Sequence, residues 1–276
     1  MQILILYFSG TGNTHYAAHY LARRLERFPL EVLVRSIEQV PPDKLPEFDI
    51  LGVGFPVHGG EAPIPLAAYI RSLPPGDGRG AFAFCTKGAF AAGASRRVLR
   101  RLTEQGYIPL GETGVNMPGI DLLPFLAKDS WLLRKMVEKD YNHLKPLDRL
   151  ANRIGEIALA IKQGDDPTEF KIQLPTLPGS KTIEKLWIKL YDRMAIWLRG
   201  KFYADERCNL CRLCVRACPA GNIQVVDGRI RFGDRCYLCL RCLHQCPQEA
   251  IQLGQGTVGK ARWRGPMGDF NPLVHP

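Results

Sequence analysis

Cysteine is the residue whose spacing in this chain points most directly to chemistry. The sequence has 276 residues and nine cysteines, of which all but Cys85 lie in one short segment. That segment contains two runs with the same spacing, Cys208-x2-Cys211-x2-Cys214-x3-Cys218-Pro219 and Cys236-x2-Cys239-x2-Cys242-x3-Cys246-Pro247. Each residue of the second run lies 28 positions after its equivalent in the first, so the segment is an internal duplication.

Thiolates are soft ligands that suit zinc or iron–sulfur clusters. Zinc sites usually have two C-x2-C pairs separated by a longer loop, and the repeated four-cysteine runs do not have that form. Three cysteines spaced by two residues wrap one cluster, whereas the fourth ligates the neighbouring cluster. We therefore predict two [4Fe-4S] clusters with crossed ligands. The first predicted set is Cys208, Cys211, Cys214 and Cys246, and the second is Cys236, Cys239, Cys242 and Cys218.

Residues 201–254 resemble a bacterial-type ferredoxin with two [4Fe-4S] clusters, because all eight cysteines and both prolines match. The resemblance implies single-electron transfer at low potential and no separate substrate site. Free ferredoxins tend to be acidic, whereas this segment holds eight Lys and Arg against five Asp and Glu. The difference leaves the partner of this segment open.

A second candidate site is the 9–14 loop, a run of small and hydroxyl-bearing residues after the first apolar segment. It consists of Ser9, Gly10, Thr11, Gly12, Asn13 and Thr14. A helix is predicted to begin there, so backbone N–H groups and three hydroxyls would surround an anion. The loop lacks the lysine of a Walker motif, and His15 stands where a dinucleotide-binding fingerprint has glycine. The alternative is a glycine-rich turn with a threonine cap and no ligand.

The 9–14 loop is similar to the FMN phosphate loop of flavodoxins. In flavodoxin-like sheets the ligand lies at the carboxyl ends of the strands, so two later glycine-rich loops are expected at the flavin ring. The residues expected there are Pro56, Val57, His58, Gly59, Thr86, Lys87, Gly88, Phe90 and Gly93. His58 or Phe90 is the candidate for stacking on the ring, and Lys87 would favour an anionic reduced flavin. Solvated loop residues are the alternative for His58 and Lys87.

The elements that must position these residues follow from the alternation of apolar and amphipathic segments in residues 1–163. The pattern predicts an α/β parallel sheet wrapped by helices, and the resemblance to flavodoxins implies that it is a flavodoxin-like doubly wound sheet. Cys85 is expected to be a buried residue of no chemical role. The predicted strands are Ile3–Phe8, Glu31–Arg35, Asp49–Phe55, Ala81–Cys85 and Tyr107–Val115. The predicted helices are Thr14–Glu26, Ile64–Ser72, Gly93–Glu104 and Leu147–Lys162. No role is assigned to residues 117–145.

Turn-forming residues mark the predicted domain boundaries. The predicted divisions are a flavodoxin-like FMN-binding domain (1–163), a linker and amphipathic helix (164–200), a small α+β two-cluster ferredoxin domain (201–254) and an extended C-terminal tail (255–276). Trp263 and Phe270 are the residues that would pack the tail on a domain. The helix Lys181–Leu198 has lysines every four residues opposite an apolar face. We expect it to pack between domains, and contact with an anionic membrane surface is the alternative.

Composition and charge limit the class of protein and its partners. With 46% hydrophobic and 23% charged residues, the chain is not disordered over most of its length. The amino terminus lacks signal-peptide features and no apolar run spans a bilayer, so we expect a cytoplasmic protein. Two clusters and a flavin phosphate would lower the net charge from +10 to roughly +4, which argues against nucleic acid.

Arginines in the ferredoxin-like segment are expected to form a docking surface for an acidic redox partner protein, and a solvated basic surface is the alternative. They are Arg207, Arg212, Arg216, Arg229, Arg231, Arg235 and Arg241.

The order of the two segments resembles flavodoxin–ferredoxin fusion proteins of anaerobic microbes. The resemblance implies intracellular transfer of single electrons between two [4Fe-4S] clusters and a bound FMN, coupling one- and two-electron chemistry. The sequence offers no nucleophile with a base, so we predict no catalytic residues and favour a carrier over an enzyme. One alternative is an FMN-dependent reductase that receives electrons from the clusters and uses His58 as proton donor. The other is a redox sensor. Donor, acceptor and direction of electron flow do not follow from the sequence.

Overall fold

The computed structural model describes residues 1–88, 91, 93–121, 123–175, 180–268 and 270–271, with the backbone alone for residues 123, 180–188 and 192. The predicted stacking candidate Phe90 lies outside the described residues. Contacts within the chain define two compact units. The first unit consists of Met1–Ser9, Thr14–Asn116 and Tyr141–Lys185, and the second consists of Gly10–Asn13, Met117–Asp140 and Leu186–Pro276.

The first unit contains a parallel sheet of five strands in the order β2-β1-β3-β4-β5, which is the flavodoxin-like order. The strands are β1 (Gln2–Tyr7), β2 (Glu31–Ser36), β3 (Ile50–Pro56), β4 (Gly80–Lys87) and β5 (Ile108–Asn116). Each predicted strand is present within two residues of its expected bounds. β1, β3 and β4 are buried almost throughout, because helices cover both faces of a parallel sheet.

The register of the sheet aligns the strand ends that carry the candidate flavin residues. Ile50 of β3 lies beside Ile3 of β1 on one side and Gly80 of β4 on the other. Gly80 in turn lies beside Ile108 of β5, which is an edge strand. Because all pairs are parallel, the carboxyl ends of β1, β3 and β4 lie along one edge of the sheet.

Five of the described helices follow the predicted amphipathic segments, and three short helices were not predicted, of which one lies in residues 131–137 and two lie within the cysteine runs. The described helices are α1 (Asn13–Leu25), α2 (Ile64–Arg71), α3 (Ala94–Glu104), α4 (Trp131–Val137), α5 (Lys145–Gln163), α6 (Ser180–Arg199), α7 (Leu213–Arg216) and α8 (Arg241–Gln245). α5 buries Leu147, Leu150, Ile154 and Ile157 at helical spacing, so its apolar stripe is its packed face. Among the described residues, none of the helices has the length and apolarity needed to cross a membrane.

The second unit contains two short antiparallel strand pairs. β6 (Phe202–Ala204) pairs with β9 (Ile251–Leu253), and β7 (Ile223–Val226) pairs with β8 (Arg229–Phe232). A shift of 28 positions carries β7 onto β9 and β6 onto β8, as the duplicated sequence requires. Apolar residues from both repeats share one small core, and they are Phe202, Ile223, Ile230, Leu240, Leu243, Ile251 and Leu253.

The backbone repeats the duplication at residues with positive φ. Leu210 (58°) corresponds to Leu238 (52°), and Arg212 (61°) corresponds to Leu240 (56°). Non-glycine residues rarely adopt this left-handed conformation, so its recurrence 28 positions later shows that both repeats require the same turns. The small α+β second domain predicted from the repeat is therefore present.

Residues 117–140 belong to a different unit from the one that the predicted domain boundaries gave them. The prediction placed them inside the first domain. These residues group with the second unit. The N–H of Ala261 donates to the carbonyl oxygen of Leu126 (3.1 Å), and Lys128 pairs with Glu249 (2.8 Å). The segment therefore packs on the tail and on the cysteine repeats, and Trp263 of the tail is only 7% exposed.

Candidate functional site

The first predicted cysteine set lines one partly open cavity. The four cysteines come from both repeats, with Cys208, Cys211 and Cys214 from the first and Cys246 from the second. Burial, followed by the neighbouring Cys246, Cys208 and Cys211, raises the pKa of the Cys214 thiol to about 12. Four thiols at one cavity can ionise together only where positive charge compensates them, as a bound metal cluster does. The donor set therefore suits a cluster with thiolate ligands.

The second cysteine set is more deeply buried than the first. Burial, followed by Cys239, Cys236 and Cys218, raises the pKa of the Cys242 thiol well above its usual range. Cys239 is 8% exposed, whereas the equivalent residue of the first run, Cys211, is exposed. The two sets thus share ligand chemistry but differ in access to solvent. Within the described chain, no three His, Cys, Asp or Glu side chains are placed to hold a single metal ion.

Peptide N–H groups point at cysteine sulfur atoms in both repeats. The N–H of Asn222 donates to Cys218 Sγ (3.3 Å), and the N–H of Ala250 donates to Cys246 Sγ at the same distance (3.3 Å). These are the two cysteines that precede proline. Hydrogen bonds of this kind stabilise thiolate and are one of the means by which proteins tune cluster potentials.

The 9–14 loop joins β1 to α1 and buries its hydroxyls. Ser9 is 3% exposed, Thr11 is 2% exposed and Thr14 is fully buried. The hydroxyl oxygen of Thr14 lies 2.8 Å from that of Thr86, so the start of α1 meets the end of β4. The first turn of α1 contains no acidic residue, which leaves the positive end of the helix dipole uncompensated within the helix. The loop has the character of an anion site.

The two predicted ring loops also meet each other. The N–H of Val57 donates to the carbonyl oxygen of Thr86 (2.9 Å), which joins the ends of β3 and β4. His58 and Glu61 exchange two backbone hydrogen bonds (2.9 Å each) around Gly59 and Gly60. Both glycines have positive φ, 58° and 93°, as a two-residue hairpin turn requires.

The remaining predicted ring-loop residues lie on the same segments. Pro56 ends β3 and is buried, Lys87 ends β4 and is half-buried, and Gly88 is exposed. Gly93 has φ of 69° and precedes α3. Cys85 is buried as predicted, and burial raises the pKa of its thiol to about 12.

Arg241 is not part of a docking surface, so the prediction for this arginine is wrong. Its side chain is 2% exposed, and hydrogen bonds inside the second unit compensate for the burial of its charge. The guanidinium donates from Nη1 to the carbonyl oxygen of Ala217 (2.9 Å) and from Nε to that of Gly10 (3.3 Å). The other predicted docking arginines are exposed, and they are Arg207, Arg212, Arg216, Arg229, Arg231 and Arg235.

His244 and the side chain of Asn13 form a second buried group that the sequence did not reveal. The backbone N–H of Trp263 donates to His244 Nδ1 (3.0 Å), so His244 Nε2 carries the proton that faces the carbonyl oxygen of Ile120 (2.9 Å). The indole N–H of Trp263 donates to Asn13 Oδ1 (2.8 Å), and Asn13 Nδ2 donates to the carbonyl oxygen of Pro118 (3.0 Å). The Asn13 side chain therefore serves protein contacts, and its backbone is the part that remains for a ligand.

The expectation that the apolar face of α6 is packed is wrong for its described residues. Leu190 is 61% exposed, Met194 is 48% exposed and Trp197 is 62% exposed. These residues are spaced by four and three positions and therefore lie on one face of the helix. Only Ala195 of the described side chains of α6 is buried.

Comparison with known proteins agrees with this geometry. Residues 207–251 match the family model of the 4Fe-4S dicluster domain. Together with the strand order of the first unit, this match defines a flavodoxin-like α/β domain joined to a 4Fe-4S dicluster domain. A chain of this construction has a role in electron transfer.

Similar solved structures include flavodoxins. A flavodoxin from the domain Archaea is 21% identical, with a TM-score of 0.42, and the match covers 56% of this chain and 97% of the flavodoxin. Two-electron reduced flavodoxin of Megasphaera elsdenii is 19% identical, with a TM-score of 0.44 and coverage of 56% and 98%. Rubredoxin oxygen:oxidoreductase from the anaerobe Desulfovibrio gigas is 16% identical, with a TM-score of 0.45 and coverage of 59% and 37%. No curated protein sequence matches the chain.

Proposed function

We propose that this protein is an electron carrier that holds two [4Fe-4S] clusters and one FMN in a single chain. The observation that carries the proposal is the grouping of the eight cysteines into two crossed sets, one of which lines its own cavity. When bound, each cluster supplies one-electron chemistry and the flavin supplies one- or two-electron chemistry.

The crossed arrangement makes each cluster site depend on both repeats. Cys246 of the second repeat completes the set of Cys208, Cys211 and Cys214, while Cys218 of the first repeat serves the other set. Cluster binding would therefore link the repeats covalently, through thiolate ligands, in addition to their shared apolar core. A core of this size gains a large fraction of its stability from such bonds.

The 9–14 loop fits a phosphate monoester held without a cationic side chain. Its hydroxyls are buried, it contains no Lys or Arg, and α1 begins within it. Backbone N–H groups at a helix start together with hydroxyls stabilise a phosphate dianion. FMN fits this loop better than ATP or a dinucleotide, because the Walker lysine and the third fingerprint glycine are both missing. The turn at Gly59–Gly60 and the end of β4 at Lys87 would then face the ring.

The main test is an anaerobic purification with iron, sulfide and flavin quantified on the same sample. We expect about eight iron atoms and one FMN per chain, with cluster absorbance that bleaches on reduction. Zinc in place of iron would overturn the cluster assignment. Full iron without affinity for added FMN would overturn the flavin assignment and leave the first unit without its proposed ligand.

We propose an acidic redox protein as the partner, because the six exposed arginines of the cysteine segment attract such a surface, and the net charge remains positive, at roughly +4, when both clusters and the flavin are bound. Small oxidants of opposite charge test this before a partner is known. We expect cobalt(III) trisoxalate, an anion, to oxidise the reduced protein faster than cobalt(III) hexaammine, a cation, after correction for their self-exchange rates. Added salt should reduce the difference. Equal salt dependence for both ions would refute the basic docking surface.

The exposed face of α6 is the candidate for contact with an anionic membrane, since Lys189 and Arg193 flank Leu190, Met194 and Trp197. Co-sedimentation with vesicles of mixed phosphatidylcholine and phosphatidylserine, but not of phosphatidylcholine alone, would support the contact. No sedimentation with either would exclude it.

A further inference from the structure

The short helices α7 and α8 occupy equivalent places in the two cysteine repeats, but they carry different residues at equivalent positions. A shift of 28 positions pairs Leu213 of α7 with Arg241 of α8, and Arg216 with His244. Arg216 is exposed, whereas Arg241 and His244 are 2% and 0% exposed. Burial of an arginine and a histidine is costly unless each has hydrogen-bond partners. The second repeat must therefore supply partners that the first repeat does not need.

Arg241 ties the 9–14 loop to the second cysteine set. Two of its hydrogen bonds reach the carbonyl oxygens of Gly10 (3.3 Å) and Ala217 (2.9 Å). Ala217 directly precedes Cys218, a member of the second set, and Arg241 itself lies between Cys239 and Cys242. One guanidinium therefore fixes a loop carbonyl and the ligand segments of one set.

Gly10 packs directly on Cys239 of the same set. A β-carbon added at Gly10 would lie 2.4 Å from the carbonyl oxygen of Cys239 and 3.3 Å from the Cys239 β-carbon. Cys211, the equivalent of Cys239 in the first repeat, is exposed. Only a residue without a side chain permits this approach of the loop to the second set.

The other end of the loop is held through His244. Trp263 donates its backbone N–H to His244 Nδ1 (3.0 Å) and its indole N–H to Asn13 Oδ1 (2.8 Å). Within the second unit, residues 10–13 thus depend on α8 at both ends. Among the described residues, the first set faces the cavity bordered by Arg212 and Gln248, both of which are exposed.

We propose that the cluster at Cys218, Cys236, Cys239 and Cys242 is the one that exchanges electrons with the flavin, and that assembly of this cluster raises the affinity of the 9–14 loop for FMN. Arg241 and His244 are positioning residues for that loop. The cluster at Cys208, Cys211, Cys214 and Cys246 serves the external partner. The inference rests on the proposed function and adds the order of the cofactors and their coupling.

The coupling follows from shared contacts. Ligation fixes the backbone of the Cys236–Cys242 segment, and that backbone carries both the Cys239 carbonyl beside Gly10 and the guanidinium bonded to Gly10. Cluster binding orders this segment in advance, so its ordering no longer has to accompany binding of the FMN phosphate. The loss of conformational entropy on FMN binding is therefore smaller. Linkage requires the reverse effect as well, so bound FMN should slow loss of iron from the second set.

Cys239→Ser and Cys211→Ser form a matched pair for the test, because each removes one ligand at an equivalent position. The affinity of each deflavinated full-length variant for FMN is measured from the quenching of flavin fluorescence, after iron analysis shows which cluster is lost. We expect Cys239→Ser to weaken FMN binding about tenfold or more, within the usual range of coupling between sites. Cys211→Ser should change it less than about twofold. Equal weakening in both variants, or a larger effect in Cys211→Ser, would overturn the proposal.

A measurement without substitution guards against misfolding of the variants. Wild-type protein freed of clusters is reconstituted with iron and sulfide, and the FMN dissociation constant is compared before and after. An unchanged constant would refute the coupling.

Arg241→Gln, with the exposed Arg216→Gln as control, tests the positioning role. We expect weaker FMN binding and a shifted midpoint potential of one cluster only in Arg241→Gln, with partial rescue by Arg241→Lys.

These outcomes are distinct from a failure of the proposed function. Wild-type protein that binds no FMN, or fewer than eight iron atoms after full reconstitution, contradicts the function itself. Wild-type protein with both cofactors, but with equal FMN affinity in the two serine variants, contradicts only the order and coupling of the sites.

Discussion

Replacement of Gly10 by alanine should destabilise the protein for a purely steric reason. The backbone of Gly10 lies outside the left-handed region, so alanine meets no conformational strain there. Its β-carbon, however, would lie 2.4 Å from the carbonyl oxygen of Cys239, a backbone atom that no side-chain rotation can move. Overpacking of this kind costs about 1–3 kcal/mol. For a chain of this size the melting midpoint should fall by at least about 2 °C.

Gly200 provides the matched control. A β-carbon added at Gly200 would have the carbonyl oxygen of Trp197 at 3.8 Å as its nearest neighbour, an ordinary contact. Gly200 also lies outside the left-handed region. We therefore expect Gly200→Ala to change the free energy of unfolding by less than about 0.5 kcal/mol.

The assay is thermal unfolding of wild-type protein and both variants, followed by differential scanning calorimetry under anaerobic conditions. Iron content must be equal in the three samples, because cluster loss alone lowers the midpoint. Equal midpoints for Gly10→Ala and Gly200→Ala would refute the close packing of the 9–14 loop on Cys239. A lower midpoint in Gly200→Ala would refute the steric argument as a whole.

Three further predictions concern burial and charge. Trp263→Ala should cost about 3–5 kcal/mol and Trp197→Ala less than about 0.5 kcal/mol in chemical denaturation, because the first side chain is 7% exposed and the second 62%; equal losses would contradict this assignment of burial. Burial, followed by Arg23, lowers the pKa of His19, so its stabilising contribution is complete above the unfolded value of about 6.5 and is lost as pH falls below it. His19→Gln should flatten the fall in stability between pH 7 and 5, and an unchanged slope would contradict it. Cys85 should resist a maleimide in folded protein stripped of its clusters while Cys211 reacts, because Cys85 is fully buried with a thiol pKa raised to about 12, whereas Cys211 is exposed; labelling of both at the same rate would show that the strand is open.

The sheet could be predicted from sequence because several of its strands are recognisable as continuous apolar runs. β1 and β4 are apolar runs buried on both faces, and each is followed by a glycine-containing loop before a helix. The cysteine sets were predictable for a different reason, since a fixed ligand spacing leaves few ways to surround a cluster. In both cases the information is local, within about 40 residues of chain.

The contacts that hold residues 10–13 could not be predicted in this way, because they join distant parts of the chain. Arg241 and Gly10 are 231 positions apart, and Asn13 and Trp263 are 250 positions apart. An arginine in a basic segment is expected at the surface unless a specific partner is known. The repeat itself held a signal, since Arg212-Leu213 of the first repeat is reversed to Leu240-Arg241 in the second.

Duplication explains how such a position could acquire a new task without loss of the old one. The cysteines, the left-handed residues and the strand pairs are shared by both repeats, because cluster binding requires them. The side chains of α7 and α8 other than the cysteines carry no such requirement, so they are free to differ. In the first repeat Arg216 remains at the surface, where it can meet a partner protein. In the second repeat the equivalent His244 is fully buried. It accepts a hydrogen bond from the backbone N–H of Trp263, whose indole N–H donates to Asn13. An ancestral symmetric module would thereby become directional, with one cluster site open to solvent and the other fixed to the loop proposed to bind the flavin.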